Sequence, residues 1–180
     1  MTLEVDRLAA EERFRTVFLH LGAVTGYARR RGSKDADALA ADVMTVAWRR
    51  LADVPADDPV PWLYGTARNL VLAEARLSAQ AKGSSIREPD QVAAAPEPSE
   101  LDPQLSQALR SLSRLDREAL LLIAWEDLTP GQAARVLGIN AGAFRVRLLR
   151  ARRRLRARLE RPAADDRPPA ALTQLDVEGT

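Results

Sequence analysis

Apolar residues recur at three- and four-residue intervals through most of this chain, and where the recurrence stops, glycine, proline, serine or aspartate stands. Phe14, Val17, Phe18, Leu21, Val24 and Ala28 predict one amphipathic helix over about 6–31, with Gly22 and Gly26 spaced for a close helix crossing. His20, a lone imidazole without a carboxylate or serine partner in sequence, is given no role. Ala36, Leu39, Val43, Val46, Ala47 and Leu51 predict a second helix over 35–51, whose first turn holds Asp35 and Asp37 where acids suit the helix dipole. A loop of three prolines and three aspartates, 52–61, follows, with Asp58 placed to cap a third helix that Pro59 or Pro61 opens. That helix runs to about Lys82 on Leu63, Ala67, Leu70 and Leu77. Trp48 and Trp62 lie beside these stripes, a placement that suits core packing more than base stacking.

Past residue 102 the pattern tightens. Leu105, Ala108, Leu109 and Leu112 predict a short helix behind Asp102 and Pro103, and Ser113 with Asp116 forms a capping box for a helix on Leu115, Ala119, Leu122 and Ile123. Trp125 and Glu126 close it. Thr129, Pro130 and Gln132 then spell a second capping box, with Leu128 and Ala133 as its hydrophobic staple. Gly138 predicts a left-handed stop, Ile139 its apolar contact, and Asn140 the next N-cap. Two short helices joined by a glycine turn are a helix-turn-helix. The last helix places Phe144, Leu148, Ala151, Leu155 and Leu159 on one stripe and spreads arginines over the opposite arc.

Charge changes the picture at that arc. Residues 129–161 hold ten arginines and a single acid, Glu160, so almost no internal partner lies within a helical turn. The net charge of +2 hides an uneven distribution: +1 over 1–82, −4 over 83–102, +8 over 103–161 and −3 over 162–180. Uncompensated repulsion of this size calls for an external polyanion, and with the motif it points to nucleic acid. The preference for arginine, 25 against 2 lysines, carries no mechanism by itself.

Residues 83–102 are rich in glycine, serine, proline and acids and read as a linker, roughly 25 Å between relaxed ends and about 65 Å when stretched. The proline-rich acidic stretch 162–180 reads as a disordered tail. The expected organisation is therefore all-α: a three-helix domain over 1–82, the linker, and a four-helix domain over 103–161, with the two bodies moving independently. The chain lacks cysteine, which removes disulfides, thiolate metal sites and cysteine nucleophiles. No nucleotide-binding glycine loop, metal-ligand spacing or nucleophile–base pair occurs, so neither an enzyme nor a cofactor is expected. No apolar run reaches the ~18 residues of a membrane span, and the acidic N-terminus is unlike a signal peptide. The expected location is the cytoplasm, against the nucleoid.

At this point the chain resembles bacterial sigma factors of the sigma-70 family, extracytoplasmic-function (ECF) type. The stretch from Leu112 through Arg117 to Leu122, then 128–134, 137–139 and 142–155, is similar to the family's region 4; Asp35, Ala36, Asp37, Leu39, Ala47, Trp48, Trp62, Leu63, Ala67, Arg68 and Asn69 resemble its region 2. The resemblance implies binding to core RNA polymerase through its clamp coiled coil and flap, promoter DNA as ligand, an anti-sigma protein as a further partner, and no membrane insertion. It implies that Arg135, Ala143, Arg145, Val146, Arg147, Arg150 and Arg153 face the minus-35 element. Arg145 and Arg147 would lie near base edges or phosphates, and Val146 near a thymine methyl. Asp57, Asp58, Arg68, Asn69 and Arg76 would serve the minus-10 element, the acidic loop forming a pocket for a flipped base. Asp35, Asp37, Leu39, Asp42 and Trp48 would dock on polymerase. The chain departs from the family at Ala38, Ala41 and Ala73, where an acid, a glutamine and an acid are usual, and at Ala143 and Phe144, where threonine and valine are commoner.

Two rival functions compete. A stand-alone helix-turn-helix regulator would dimerise through the N-terminal helices and bind DNA with two-fold symmetry, without polymerase. A sigma-like decoy would bind an anti-sigma protein and leave DNA alone, and would need no +8 domain.

Overall fold

A computed structural model of the chain describes residues 2–81 and 102–160. Among these it is all-α: α1 (Thr2–Phe18), α2 (Leu21–Arg30), α3 (Ala36–Arg49), a 3-10 turn (Leu51–Asp53), α4 (Val60–Ala81), α5 (Pro103–Arg110), α6 (Arg114–Ala124), α7 (Pro130–Leu137) and α8 (Ala141–Leu159). The predicted linker 83–102, apart from Asp102, and the predicted tail 162–180 lie outside the described residues.

The single helix expected over 6–31 is two helices, broken at Leu19 and His20. The break lets two apolar faces serve different neighbours. Phe14 of α1 meets Trp48 of α3 edge to face at 5.1 Å, while α2 sends Val24, Tyr27 and Ala28 fully into the core. Gly22 and Gly26 mark no helix crossing: a Cβ on Gly22 would meet nothing within 4 Å, and one on Gly26 would meet only the Arg30 side chain of its own helix. α3 starts as expected, with the Asp35 carboxylate accepting from Ala38 N at 2.9 Å. Leu77 leaves the predicted apolar stripe and stands exposed, beyond Leu72, the last buried residue of α4.

In the C-terminal half the capping chemistry sets the boundaries. Asp102 caps α5 through Gln104 N at 2.8 Å, and Ser113 caps α6 through Asp116 N. The second half of that box does not form, because the Asp116 carboxylate goes to arginines of α8. The Thr129–Gln132 box is complete, Gly138 adopts φ +67°, and Ile139 N closes back on Ala134 O at 3.0 Å. Asn140 caps α8 through Ala143 N at 2.7 Å.

Among the described residues, buried side chains of both halves belong to one core cluster. Tyr64, Ala67 and Val71 of α4 belong to the same buried cluster as Ala119 and Leu122 of α6, Ala133, Ala134 and Val136 of α7, and Phe144 of α8. α4 lies directly on α7, so close at Gly65 that an added Cβ would touch the Val136 carbonyl at 3.7 Å. Apolar periodicity reports which face of a helix is buried, not which partner buries it, and so the contact was invisible in the sequence.

Candidate nucleic-acid interface

Helix α8 buries Phe144, Leu148 and Ala151 and turns its opposite side to solvent. On that side Arg145, Arg150 and Arg153 are exposed and take no acid among the described residues, and Ala143 is exposed at the N-terminal end. Val146 and Leu149 sit among them at 49% and 51% exposure, an apolar pair inside a cationic arc. Leu149 went unnoticed in the sequence, since a leucine beside Leu148 reads as packing until the helix phase is fixed.

Arg147 differs from its neighbours. Its Nη1 donates to one oxygen of the buried Asp116 carboxylate at 3.0 Å, and Arg154 donates to the other. A base-reading role for Arg147 therefore meets a competing bond, which ties α8 to α6 and fixes the tilt of the exposed arc.

Of the residues expected at the minus-10 element, Asn69, Arg76 and Asp57 are exposed. Asp58 and Arg68 are spoken for. Asp58 does not cap α4: its carboxylate accepts from Gln132 Nε2 at 3.1 Å and from Arg135 of α7. Arg68 forms a bidentate pair with Glu118 of α6 at 2.8 and 3.1 Å, with only 15% and 8% of the two side chains exposed. A cleft of about 330 Å³ opens between α4 and α7, lined among others by Arg50, Trp62, Thr66, Asn69 and Arg135. Arg50 stands over the Trp62 ring at 5.9 Å, so cation and stacking surface meet at this cleft.

Behind the cleft, Glu126 enters a socket on the N-terminal half, its side chain 1% exposed. Arg30 Nε donates to it at 3.1 Å and Arg31 approaches to 4.0 Å. Tyr27 stacks on Tyr64 at 4.5 Å beneath these groups, and burial pushes both phenols up to about 12. In the sequence Glu118 carries no mark, and Glu126 reads only as the end of a helix. The signal was there, in acids that persist within a segment of net +8.

Of the residues expected to meet polymerase, Asp35, Asp37, Asp42 and Trp48 are exposed, Trp48 by 45%. Leu39 is 2% exposed and supports α3 from within the core, so it offers no docking surface.

Residues 103–155 match the family described as sigma-70, region 4. No curated protein sequence matches the chain significantly. Solved structures similar over most of its length include these two. The sigma factor RpoE of Bartonella quintana, crystallised with the anti-sigma factor NepR, is 25% identical with a TM-score of 0.57, covering 85% of this chain and 97% of that one. CnrH, solved with the cytosolic domain of CnrY, is 25% identical with a TM-score of 0.54, covering 84% and 95% respectively.

Proposed function

The chain belongs to the sigma-70 family, as a sigma factor of the ECF type, and from that premise we propose how it carries core RNA polymerase to a promoter. Helix α8 enters the major groove of the minus-35 element. Arg145 and Arg150 reach base edges or phosphates, Val146 and Leu149 meet thymine methyls, Ala143 permits close approach, and Arg135 and Arg153 take phosphates. Arg147 orients the helix through Asp116.

The face of α4 bearing Arg68, Asn69 and Arg76, with the loop at Asp57 and Asp58, serves the minus-10 element as it opens. Arg50 over Trp62 supplies the mixed cationic and aromatic surface that single-strand capture uses. On α3, Asp37, Asp42 and Trp48 dock on the clamp coiled coil, with Asp35 holding the helix start. The C-terminal half sits on the flap. An anti-sigma protein is a fitting further partner, since RpoE of Bartonella quintana was crystallised with the anti-sigma factor NepR.

The observation that carries this reading is the exposed arc of α8, where three guanidiniums without acidic partners among the described residues flank two exposed apolar side chains. Hydroxyl-radical footprinting of the holoenzyme tests it. Two protected patches roughly 50 Å apart, about one and a half turns, are expected. A single symmetric patch obtained without polymerase would favour a stand-alone regulator.

A further inference from the structure

Helix α8 presents more cationic surface than the minus-35 contacts use. At about 100° per residue, Arg152 and Arg156 fall on the same side as Arg145, Leu149 and Arg153, within an arc of roughly 160° that also takes in Val146 and Arg150. All five guanidiniums are exposed and take no acid among the described residues. The two α8 arginines that a carboxylate does reach, Arg147 and Arg154, both bond it, at Asp116. A carboxylate brought to this helix is therefore held.

The next carboxylates in sequence after Glu160 follow α8 directly. Residues 162–180, outside the described residues, carry Asp165, Asp166, Asp176 and Glu178 against Arg167, a net of −3, with Leu172, Leu175 and Val177 among them. We propose, resting on the sigma-factor reading of α8, that the arc is a docking surface for this segment of the same chain, which lies on it until DNA phosphates displace it.

Spacing supports the match. Asp165 lies five residues past Glu160, where a coil spans roughly 12 Å, and Arg153 lies seven residues back, roughly 11 Å along the helix. Asp176 lies sixteen residues past Glu160, roughly 22 Å, and Arg145 fifteen back, also roughly 22 Å. A tethered partner acts at its highest effective concentration when its relaxed reach equals the distance it must cover, as it does at both acidic pairs. The leucines of the segment also offer apolar cover to Val146 and Leu149, so surface and segment match in kind as well as in charge. Competition of this sort lowers affinity for every duplex by one factor. The free chain is then held less by unrelated DNA, where phosphate contacts supply nearly all the affinity.

The chain has no cysteine, so a nitroxide placed at Gln174→Cys reports the position of the segment by broadening the NMR signals of nearby backbone amides. In the full free chain, broadening should centre on residues 145–153 of α8 and fade on adding a short random-sequence duplex. Neutralising the segment in the full chain, with Asp165→Asn, Asp166→Asn, Asp176→Asn and Glu178→Gln together, should abolish the broadening. It should also tighten binding to that duplex about tenfold at low salt, the gain expected when an arc roughly nine-tenths covered is uncovered. The gain should shrink towards high salt, with the slope of log affinity against log salt steeper in the neutralised chain by at least about one. Broadening that is absent, centres elsewhere, persists with the duplex bound or comes only from a nitroxide on a second copy overturns the proposal. So do affinities that match across the salt series. Promoter-specific initiation by the holoenzyme tests the sigma-factor reading separately: its absence refutes that reading, while the broadening, measured without polymerase or promoter, still decides whether the segment lies on α8.

Discussion

Asp116, 4% exposed at the start of α6, holds Arg147 of α8 at 3.0 Å and Arg154 two turns further along. One carboxylate thus anchors the helix that presents the exposed cationic arc. Asp116→Ala should lower stability by about 1–2 kcal/mol in denaturant titration, a modest loss because both freed guanidiniums reach water. Sequence preference among promoter variants should relax as well. A variant with unchanged stability would show that the two ion pairs contribute nothing.

Arg145 and Arg150 have no such anchor among the described residues. Replacing either with alanine should weaken holoenzyme binding to the minus-35 element, and each lost phosphate contact should reduce the slope of log affinity against log salt by about one. Arg147→Ala should leave that slope nearly unchanged and act through stability. Affinity measured across a salt series separates the two outcomes.

The stacked phenols set an alkaline limit. Tyr27 and Tyr64 ionise near 10 when unfolded and are pushed up to about 12 in the fold, chiefly because burial disfavours the phenolate. The neutral phenol is therefore the folded form: its contribution is complete below pH 10 and is lost as pH rises from 10 to 12. Unfolding followed with tyrosinate absorbance should begin in that window. Tyr27→Phe should shift it upward without loss at neutral pH, because the Tyr27 hydroxyl is buried and makes no hydrogen bond among the described residues.

Gly138 carries the turn of the helix-turn-helix at φ +67°, and a Cβ there would meet nothing within 4 Å. The cost of Gly138→Ala is then purely conformational, about 1 kcal/mol, seen as a fall of roughly 3–5 °C in Tm. Gly138→Asn should lose less, since asparagine tolerates the left-handed region.

The C-terminal helices were legible because their ends are written in local chemistry. Thr129 with Gln132, Gly138 and Asn140 each act within a few residues of their own position, and all three signals mark the boundaries of α7 and α8. The break at Leu19 and His20 was hidden, because apolar spacing continues through it from Phe14 to Ala28 with no proline or left-handed glycine to interrupt it. The arc of α8 was readable from charge, but Arg147 could not be told from Arg145 until Asp116 was located beside it. Asp58 looked like a helix cap by position and became a cross-chain acceptor, since a carboxylate takes whichever donors the tertiary fold brings nearest. The joint between the halves depends on residues from 50 to 96 positions apart, Arg68 with Glu118 and Arg30 with Glu126, and no local pattern encodes such pairs.

Reconstitution with purified core RNA polymerase on a library of promoter sequences, reading the start site of every transcript, asks most directly whether this chain chooses where transcription begins. Adding the wild-type chain should concentrate initiation on a subset sharing two short elements about one and a half turns apart, and Arg145→Ala or Arg150→Ala should disperse it. Start sites that stay the same with and without the chain would contradict its role as a sigma factor.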